Sequence, residues 1–197
     1  MTGTTHITGG LLTGMLIMQN VDIPGENIGK AILVTGVVLG SLIPDLDHRR
    51  STIRSKWEIA GYIYDIFSYL VKFVAIFLPR RPKRYLRRVV GVRGFLHWPS
   101  LYLLLLCIAI LPGMIILQKI PLEFVGVYRI FICSLVAGAG SHLVLDAFSG
   151  GIPLLAPFNM KRLPLANIKT GGFLEAIFWT CEVAAVLALA AKEIGLL

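Results

Sequence analysis

The chain has 197 residues, of which 56% are hydrophobic and only 15% are charged, and its mean hydropathy is +0.77. A soluble domain carries about 45–50% apolar and about 25% charged residues, so this composition excludes an ordinary soluble globule and indicates an integral membrane protein. The formal charge of +8 comes mostly from short loops between apolar segments, a pattern typical of membrane topology signals and not of nucleic-acid binding. We therefore expect one integral membrane domain over residues 1–197 and no nucleic-acid partner.

Five apolar segments are candidates for membrane-spanning helices, since a span needs about 20 mostly apolar residues. In chain order they are Thr4–Asn20, Gly29–Pro44, Leu101–Gln118, Tyr128–Phe148 and Phe173–Lys192. The first two are short and rich in glycine and threonine, which favours close packing against other helices. The sequence thus predicts an all-α polytopic membrane bundle with about five spanning helices.

A sixth apolar segment, Ile59–Leu78, carries a polar stripe on one helical face, formed by Glu58, Asp65, Ser68 and Lys72. Such a stripe favours an interfacial or re-entrant amphipathic helix. Basic clusters lie on both sides of the segment: Arg49, Arg50, Arg54 and Lys56 precede it, and Arg80, Arg81, Lys83, Arg84, Arg87, Arg88 and Arg93 follow it. Because a crossing helix would place these clusters on opposite sides of the membrane, we prefer an interfacial helix and basic loop insertion over residues 59–92. A six-span topology is the alternative.

All 4 histidines lie at an end of an apolar segment, together with acidic residues. The residues concerned are His6, the run Asp45–His48, His97, and the pair His142 and Asp146. With five spans and the N-terminus inside, every one of them lies on the cytoplasmic side of a bacterial or archaeal inner (plasma) membrane. Ionisable residues at such positions are costly and are usually functional or paired, so we expect them to form one polar cluster.

The residue types in this cluster suit a divalent metal ion. His142 and Asp146 share one helical face at i and i+4. Asp45 and Asp47 follow Pro44 in an extended or turning segment, where alternate residues point the same way. Imidazole and carboxylate ligands together suit Zn²⁺ best, with Mn²⁺ or Fe as alternatives, and the cluster is large enough for one or two ions. We expect metal ligands at His6, Asp45, Asp47, His97, His142 and Asp146, and ligands or supporting residues at His48 and Ser141.

Two of these residues have candidate catalytic roles. Arg93, four residues before His97, could bind a phosphate through its planar guanidinium, or it could simply belong to the cytoplasmic basic cluster. Asp47 could orient or deprotonate a water molecule. Simpler interpretations stay open as well: each histidine could be a hydrogen-bonded packing residue, and Asp45 could cap a helix in a solvated loop.

In the segments that carry these histidines and aspartates, the sequence resembles the YdjM-like family of membrane-bound metal-dependent hydrolases. The counterparts of the family motifs are His6 with Gly9-Gly10, Ile43–Asp47, Arg93–His97, and Ser141–Asp146 continuing to Gly150-Gly151 and Pro157-Phe158. The third motif departs from the family pattern, since Val92, Leu96 and Trp98 replace a histidine, a threonine and a serine. A more distant likeness is to zinc-dependent phospholipase C, an all-helical fold that also uses a His-x-x-x-Asp pair and an N-terminal metal ligand.

The resemblance implies a hydrolase. We favour a phosphoester in a lipid or lipid-linked substrate, attacked by metal-activated water, with anionic headgroups held near the basic segment around Arg80–Arg93. A metal or proton transporter is the alternative, which predicts ligands spread across the depth of the membrane. A non-catalytic membrane protein stabilised by metal is a third possibility. No pattern in the sequence predicts an oligomeric state.

Overall fold

A computed structural model of the protein describes residues 1–48, 51–116 and 122–196. In these residues the α-helices are α1 (Gly3–Asn20), α2 (Glu26–Leu42), α3 (Thr52–Lys56), α4 (Glu58–Val74), α5 (Arg80–Val89), α6 (Pro99–Ile116), α7 (Leu122–Ser149) and α8 (Phe173–Glu193). Short 3-10 helices cover Ile43–Asp47, Ala75–Phe77 and Phe95–His97. The predicted all-α membrane bundle is confirmed. Arg49 and Arg50 of the predicted basic cluster, and Gln118 at the end of the predicted third span, lie outside the described residues.

Helices α2 and α7 are parallel, and glycines at their interface allow the two backbones to pack closely. A Cβ atom at Gly40 would lie 2.0 Å from the carbonyl oxygen of Leu135, and one at Gly138 would lie 2.1 Å from that of Val37. Near the end of both helices, Ser41 contacts His142. Small residues permit such close backbone approach, so the expectation of close packing in the second apolar segment is confirmed.

Helix α1 packs antiparallel to α2, again through glycines. A Cβ atom at Gly10 would lie 2.9 Å from the Ser41 side chain, whereas one at Gly14 would lie 2.9 Å from Val37 and 3.2 Å from Leu33. Later residues of α1 therefore contact earlier residues of α2, which makes the two helices antiparallel. As a result, the start of α1 lies beside the end of α2.

Helix α8 runs parallel to α1 and is joined to it by polar side chains. The hydroxyl of Thr5 donates to Glu175, and that of Thr8 donates to Glu182, each at 2.8 Å. Helix α6 packs on α7, where Tyr102 joins a small apolar core with residues late in α7. The starts of α1, α6 and α8 and the ends of α2 and α7 therefore meet at one end of the bundle, which we call the polar end.

Four segments of the described chain are long and apolar enough to cross a membrane: Asn27–Asp47, Glu58–Phe77, Val125–Ser149 and Phe173–Glu193. Three of them coincide with predicted spans, and α1 and α6 cover the two other predicted segments as helices. The second corresponds to the predicted amphipathic segment Ile59–Leu78. Its length alone therefore does not separate an interfacial helix from a sixth span.

Candidate metal site at the polar end

His142 presents a free ring nitrogen inside the polar end. Its Nδ1 lies 2.6 Å from the carbonyl oxygen of Ser41, so Nδ1–H donates this hydrogen bond and Nε2 is left as an acceptor. Nε2 lies 3.8 Å from Asp45 Oδ1 and 4.0 Å from Asp146 Oδ2, and it finds no hydrogen-bond partner among the described residues. A backbone carbonyl behind one nitrogen and carboxylates before the other is the usual environment of a metal-ligating histidine.

His6 and His97 complete a group of three buried imidazoles around Asp146. The rings of His6 and His142 are stacked, with their centroids 3.7 Å apart. His6 Nε2 lies 3.5 Å from Asp146 Oδ1, and His97 Nε2 lies 3.4 Å from Asp146 Oδ2. The three histidines are at most 1% exposed. Residues from α1, α7 and the segment before α6 therefore meet at one carboxylate, as the one-sided topology predicts.

The two aspartates after α2 point in different directions, so the expectation that they face the same way is wrong. They lie in the 3-10 helix Ile43–Asp47, where residues two apart differ by about 120° around the axis. Asp45 therefore faces His142, whereas Asp47 Oδ2 accepts from Gly94 N–H at 3.0 Å and lies 3.2 Å from His97 Nδ1. Asp47 thus stands behind His97 and orients its ring.

The electrostatic environment favours a charged His97 when no metal is bound. Burial disfavours the imidazolium, but the carboxylates of Asp146 and Asp47, which lie beside its two ring nitrogens, outweigh this effect and raise the pKa of His97 to about 9. A cation at Nε2 would take the place of this proton. The two carboxylates therefore favour a positive charge at the ring of His97.

Two sets of side chains bring one ligand atom each to within 4.8 Å of one another: His6 with Asp45 and His142, and His97 with His142 and Asp146. Buried nitrogens of His6, His97 and His142 have no hydrogen-bond partner within the part of the chain that the structure describes. Orphaned imidazoles beside carboxylates fit a divalent ion such as Zn²⁺, Mn²⁺ or Fe. His142 belongs to both sets. Because its Nδ1 already donates to the Ser41 carbonyl, only Nε2 can bind a metal, and His142 can therefore serve one ion.

Arg93 lies against the Asp146 carboxylate. Its Nε is 2.8 Å from Asp146 Oδ2, while Nη2 donates to Ser149 Oγ at 3.2 Å and Nη1 to the Gly151 carbonyl at 3.3 Å. The residue takes a left-handed backbone conformation, with φ 55°, which a non-glycine residue adopts only at some energetic cost. These contacts make Arg93 a positioning residue for Asp146, and phosphate binding by its guanidinium stays a prediction.

A cavity of about 380 Å³ opens beside these residues and is lined by Asp45, Asp47, Arg93, His97 and Asp146 among others. His48 also lines it, but its side chain is exposed and belongs to neither set of converging ligands. Ser141 turns its hydroxyl onto the Gly138 carbonyl of its own helix, at 2.7 Å. The cluster is therefore reached from a cavity and is not closed off by the surrounding helices.

Sequence reasoning missed several contacts that hold the cluster in place. Ser149 hydrogen-bonds to Asp146 and Arg93, and its position three residues after Asp146 on the same helical face was an available signal. The amine of Met1 lies 3.2 Å from Asp146. Glu175, which is buried, accepts from Thr2 N–H and the Thr5 hydroxyl and so fastens α8 to the start of the helix that carries His6.

Comparisons with known proteins agree with this architecture. The chain matches the family described as YdjM inner membrane protein over residues 1–196. It is 31% identical over 181 residues to a Bacillus subtilis (strain 168) protein named only as uncharacterized protein YvsG, and the match covers 90% of this chain and 86% of the relative. No solved structure matches, and the likeness to zinc-dependent phospholipase C is not shown. The apolar helices and these matches together establish that the chain is a multi-pass inner membrane protein and belongs to the YdjM inner membrane protein family.

Proposed function

We propose that the protein is a membrane-bound, metal-dependent hydrolase of phosphoesters, with a lipid or lipid-linked substrate. The observation that carries the proposal is the convergence of buried imidazole nitrogens without hydrogen-bond partners in the described structure with Asp45 and Asp146 beside an open cavity. A purely structural ion is usually enclosed on all sides by its ligands, whereas a catalytic ion keeps one position open.

The residues that would hold the ion are His6, Asp45, His97, His142 and Asp146. When bound, a Zn²⁺ ion would lower the pKa of a water molecule towards about 7 and neutralise charge on a phosphoryl oxygen. The Ser41 carbonyl and Asp47 would hold the imidazoles of His142 and His97 in their ligating orientation. A second ion would have to be bound without His142, whose single free nitrogen serves one.

Two groups of this chain could act directly on a substrate. Asp47 Oδ1 is buried and has no hydrogen-bond partner among the residues described, so this oxygen could accept a proton from a water molecule bound next to it. Thr52 and Thr170 also line the cavity, and their hydroxyl groups could donate to phosphate oxygens. The volume of about 380 Å³ suits a headgroup-sized moiety.

The test is phosphate or headgroup release by the purified protein in nanodiscs that contain phosphomonoester or phosphodiester lipids, with Zn²⁺ or Mn²⁺ added. Asp146→Asn and His142→Ala should abolish turnover while membrane insertion is kept. Glu193→Gln removes a carboxylate at the opposite end of the bundle, beside Lys30, and should retain full activity. Turnover that survives both polar-end changes would overturn the proposal, as would a metal-loaded protein that cleaves no lipid of either class.

Metal or proton transport remains the alternative because α8 carries two buried carboxylates, one at the polar end and one about two turns further along the helix. Glu175 and Glu182 are both buried, but each already accepts a hydrogen bond from a threonine of α1. They therefore serve as helix contacts without any ion. Uptake of Zn²⁺ or protons into proteoliposomes that is lost in Glu182→Gln would favour transport, and hydrolysis without uptake would favour the enzyme.

A further inference from the structure

Helix α4 turns its smallest residues and part of its polar stripe towards the protein. Gly61, Tyr64 and Ser68 are buried and Asp65 is half-buried, whereas Glu58 and Lys72 are exposed near the two ends of the helix and the rest of the exposed face is apolar. The large exposed side chains are Ile59, Tyr62, Ile63, Ile66, Phe67, Tyr69, Leu70, Phe73 and Val74. A continuous apolar face of this size is not stable in water, so in a membrane protein it must contact lipid.

Helix α5 turns back along α4 to form a hairpin, which we call the α4–α5 hairpin (residues 58–90). The hydroxyl of Tyr64 donates to the Val90 carbonyl at 3.2 Å. From Tyr64 to Val74, α4 rises about 15 Å, and from Arg80 to Val89, α5 covers about the same distance. Helix α5 is therefore long enough to lie beside α4 from Val74 back to Tyr64.

The positive charge of α5 indicates how deeply the hairpin can lie in the bilayer. The helix carries Arg80, Arg81, Lys83, Arg84, Arg87 and Arg88, of which the five arginines are exposed and Lys83 is half-buried. If α4 crossed the bilayer, these cations would lie at successive depths of the hydrocarbon core beside it. Each cation at the centre of a bilayer disfavours insertion on the order of 100-fold. A hairpin that lies along the membrane surface avoids this cost entirely.

The hairpin is attached at the polar end of the bundle. Arg54 donates to the Leu46 carbonyl and to Asp65 of α4, both at 2.8 Å. Tyr64 and Phe67 pack on the ring of Phe95, just before His97. The α4–α5 hairpin is therefore fixed to the segments that carry the polar cluster, near the level where the bundle leaves the membrane.

We infer that the α4–α5 hairpin is a docking surface for an anionic phospholipid bilayer, with the apolar face of α4 in the boundary between headgroups and acyl chains and the cations of α5 against the headgroups. Charge complementarity identifies the occupant, because an apolar face joined to a cationic helix fits anionic lipid. Residues at both roots of the hairpin, Thr52 and Val92, line the cavity. The surface would therefore hold the cavity mouth at headgroup level. The inference needs no metal and stands apart from the proposed hydrolysis.

Spin labels on the exposed face of α4 and of the 3-10 helix Ala75–Phe77 that follows it test the placement of the hairpin. Single cysteines at Ile59, Ile66, Phe73 and Phe77 would be labelled in the full chain, after Cys107, Cys133 and Cys181 are replaced by alanine, because all three are exposed. Collision rates with oxygen and with a water-soluble nickel complex report each label's depth in proteoliposomes. A surface hairpin places all four labels at a similar depth, about 5–10 Å below the phosphates. A crossing helix instead brings the central labels to about 15 Å, and that profile would overturn the inference.

The lipid class is tested in the same labelled proteins. The labels should be less accessible to the nickel complex in vesicles containing phosphatidylglycerol than in pure phosphatidylcholine. Because each cation near an anionic surface strengthens attachment about fivefold, the four changes Arg80→Gln, Arg81→Gln, Arg84→Gln and Arg88→Gln should greatly reduce this difference. The same four positions changed to lysine keep the charge and should retain it. Equal accessibility in both vesicles for the unsubstituted helix would overturn the anionic-lipid assignment.

Discussion

The most informative single substitution is Asp47→Asn, because Asp47 lies behind the proposed metal ligand His97 and not within either set of converging ligands. Its Oδ2 accepts from Gly94 N–H at 3.0 Å and lies 3.2 Å from His97 Nδ1. An asparagine has the same shape and can still accept from Gly94, but it removes the charge that orients and polarises the imidazole. We expect His97 to stay in place and to bind metal less tightly.

The magnitude follows from this position. Removing a carboxylate that supports a ligating histidine typically weakens metal binding 10–100-fold, which corresponds to about 1.4–2.7 kcal/mol. His142→Ala removes a ligand atom that has no substitute and should reduce binding far more. The two variants should therefore differ clearly in a competition titration with a chromophoric chelator.

The assay uses purified protein in nanodiscs, stripped of metal and titrated with Zn²⁺. Glu193→Gln is the matched control, since it also neutralises one carboxylate but lies at the opposite end of the bundle. Unchanged affinity in Asp47→Asn would show that the contact to His97 has no part in the site. A loss equal to that of His142→Ala would instead identify Asp47 as a direct ligand, as the sequence first suggested.

Four further predictions follow from the geometry. Arg93→Lys keeps the charge but loses the three-way contact to Asp146, Ser149 and Gly151, so metal affinity should fall; if only substrate capture changes, Arg93 binds phosphate. Zn²⁺ binding near pH 7.5 should release ~1 proton from His97, whose pKa is about 9, as calorimetry in two buffers would detect. In the metal-free protein, the stabilisation from charged His97 is fully present below its unfolded pKa of about 6.5 and should be lost as pH rises through about 9; no loss in thermal scans would contradict this. Gly138→Ala should destabilise the bundle by about 1–3 kcal/mol or more, because its Cβ would meet the Val37 carbonyl at 2.1 Å, whereas Gly140→Ala meets nothing within 4 Å among the described residues and should be tolerated in the same unfolding assay.

The positions of the helices and the membership of the polar cluster could be predicted because both follow from simple regularities. Long apolar segments predict the helices. The charge asymmetry of the loops predicts the topology, which places His6, Asp45, His97, His142 and Asp146 at one end of the bundle. No part of that reasoning needs side-chain detail. It requires only that ionisable residues in a membrane protein are costly and therefore cluster.

The detailed roles could not be predicted because they depend on local backbone geometry. The 3-10 turn after Leu42 separates Asp45 from Asp47, and the unusual left-handed conformation of Arg93 turns its guanidinium onto Asp146. The support of His142 comes from a backbone carbonyl, which the sequence does not identify. Likewise, the return of α5 alongside α4 is a tertiary contact, and charge counting alone suggested only that both ends of α4 lie on one side.

The central claim is that the buried histidines and carboxylates of the polar end bind one divalent ion directly. X-ray absorption at the zinc K-edge, recorded on the protein loaded with Zn²⁺, reads the ligands themselves. The account predicts nitrogen and oxygen ligands at about 2.0–2.2 Å with outer-shell scattering from imidazole rings, and weaker imidazole scattering or no bound zinc in His142→Ala. Sulfur ligands at about 2.3 Å, or an identical spectrum in the variant, would contradict it.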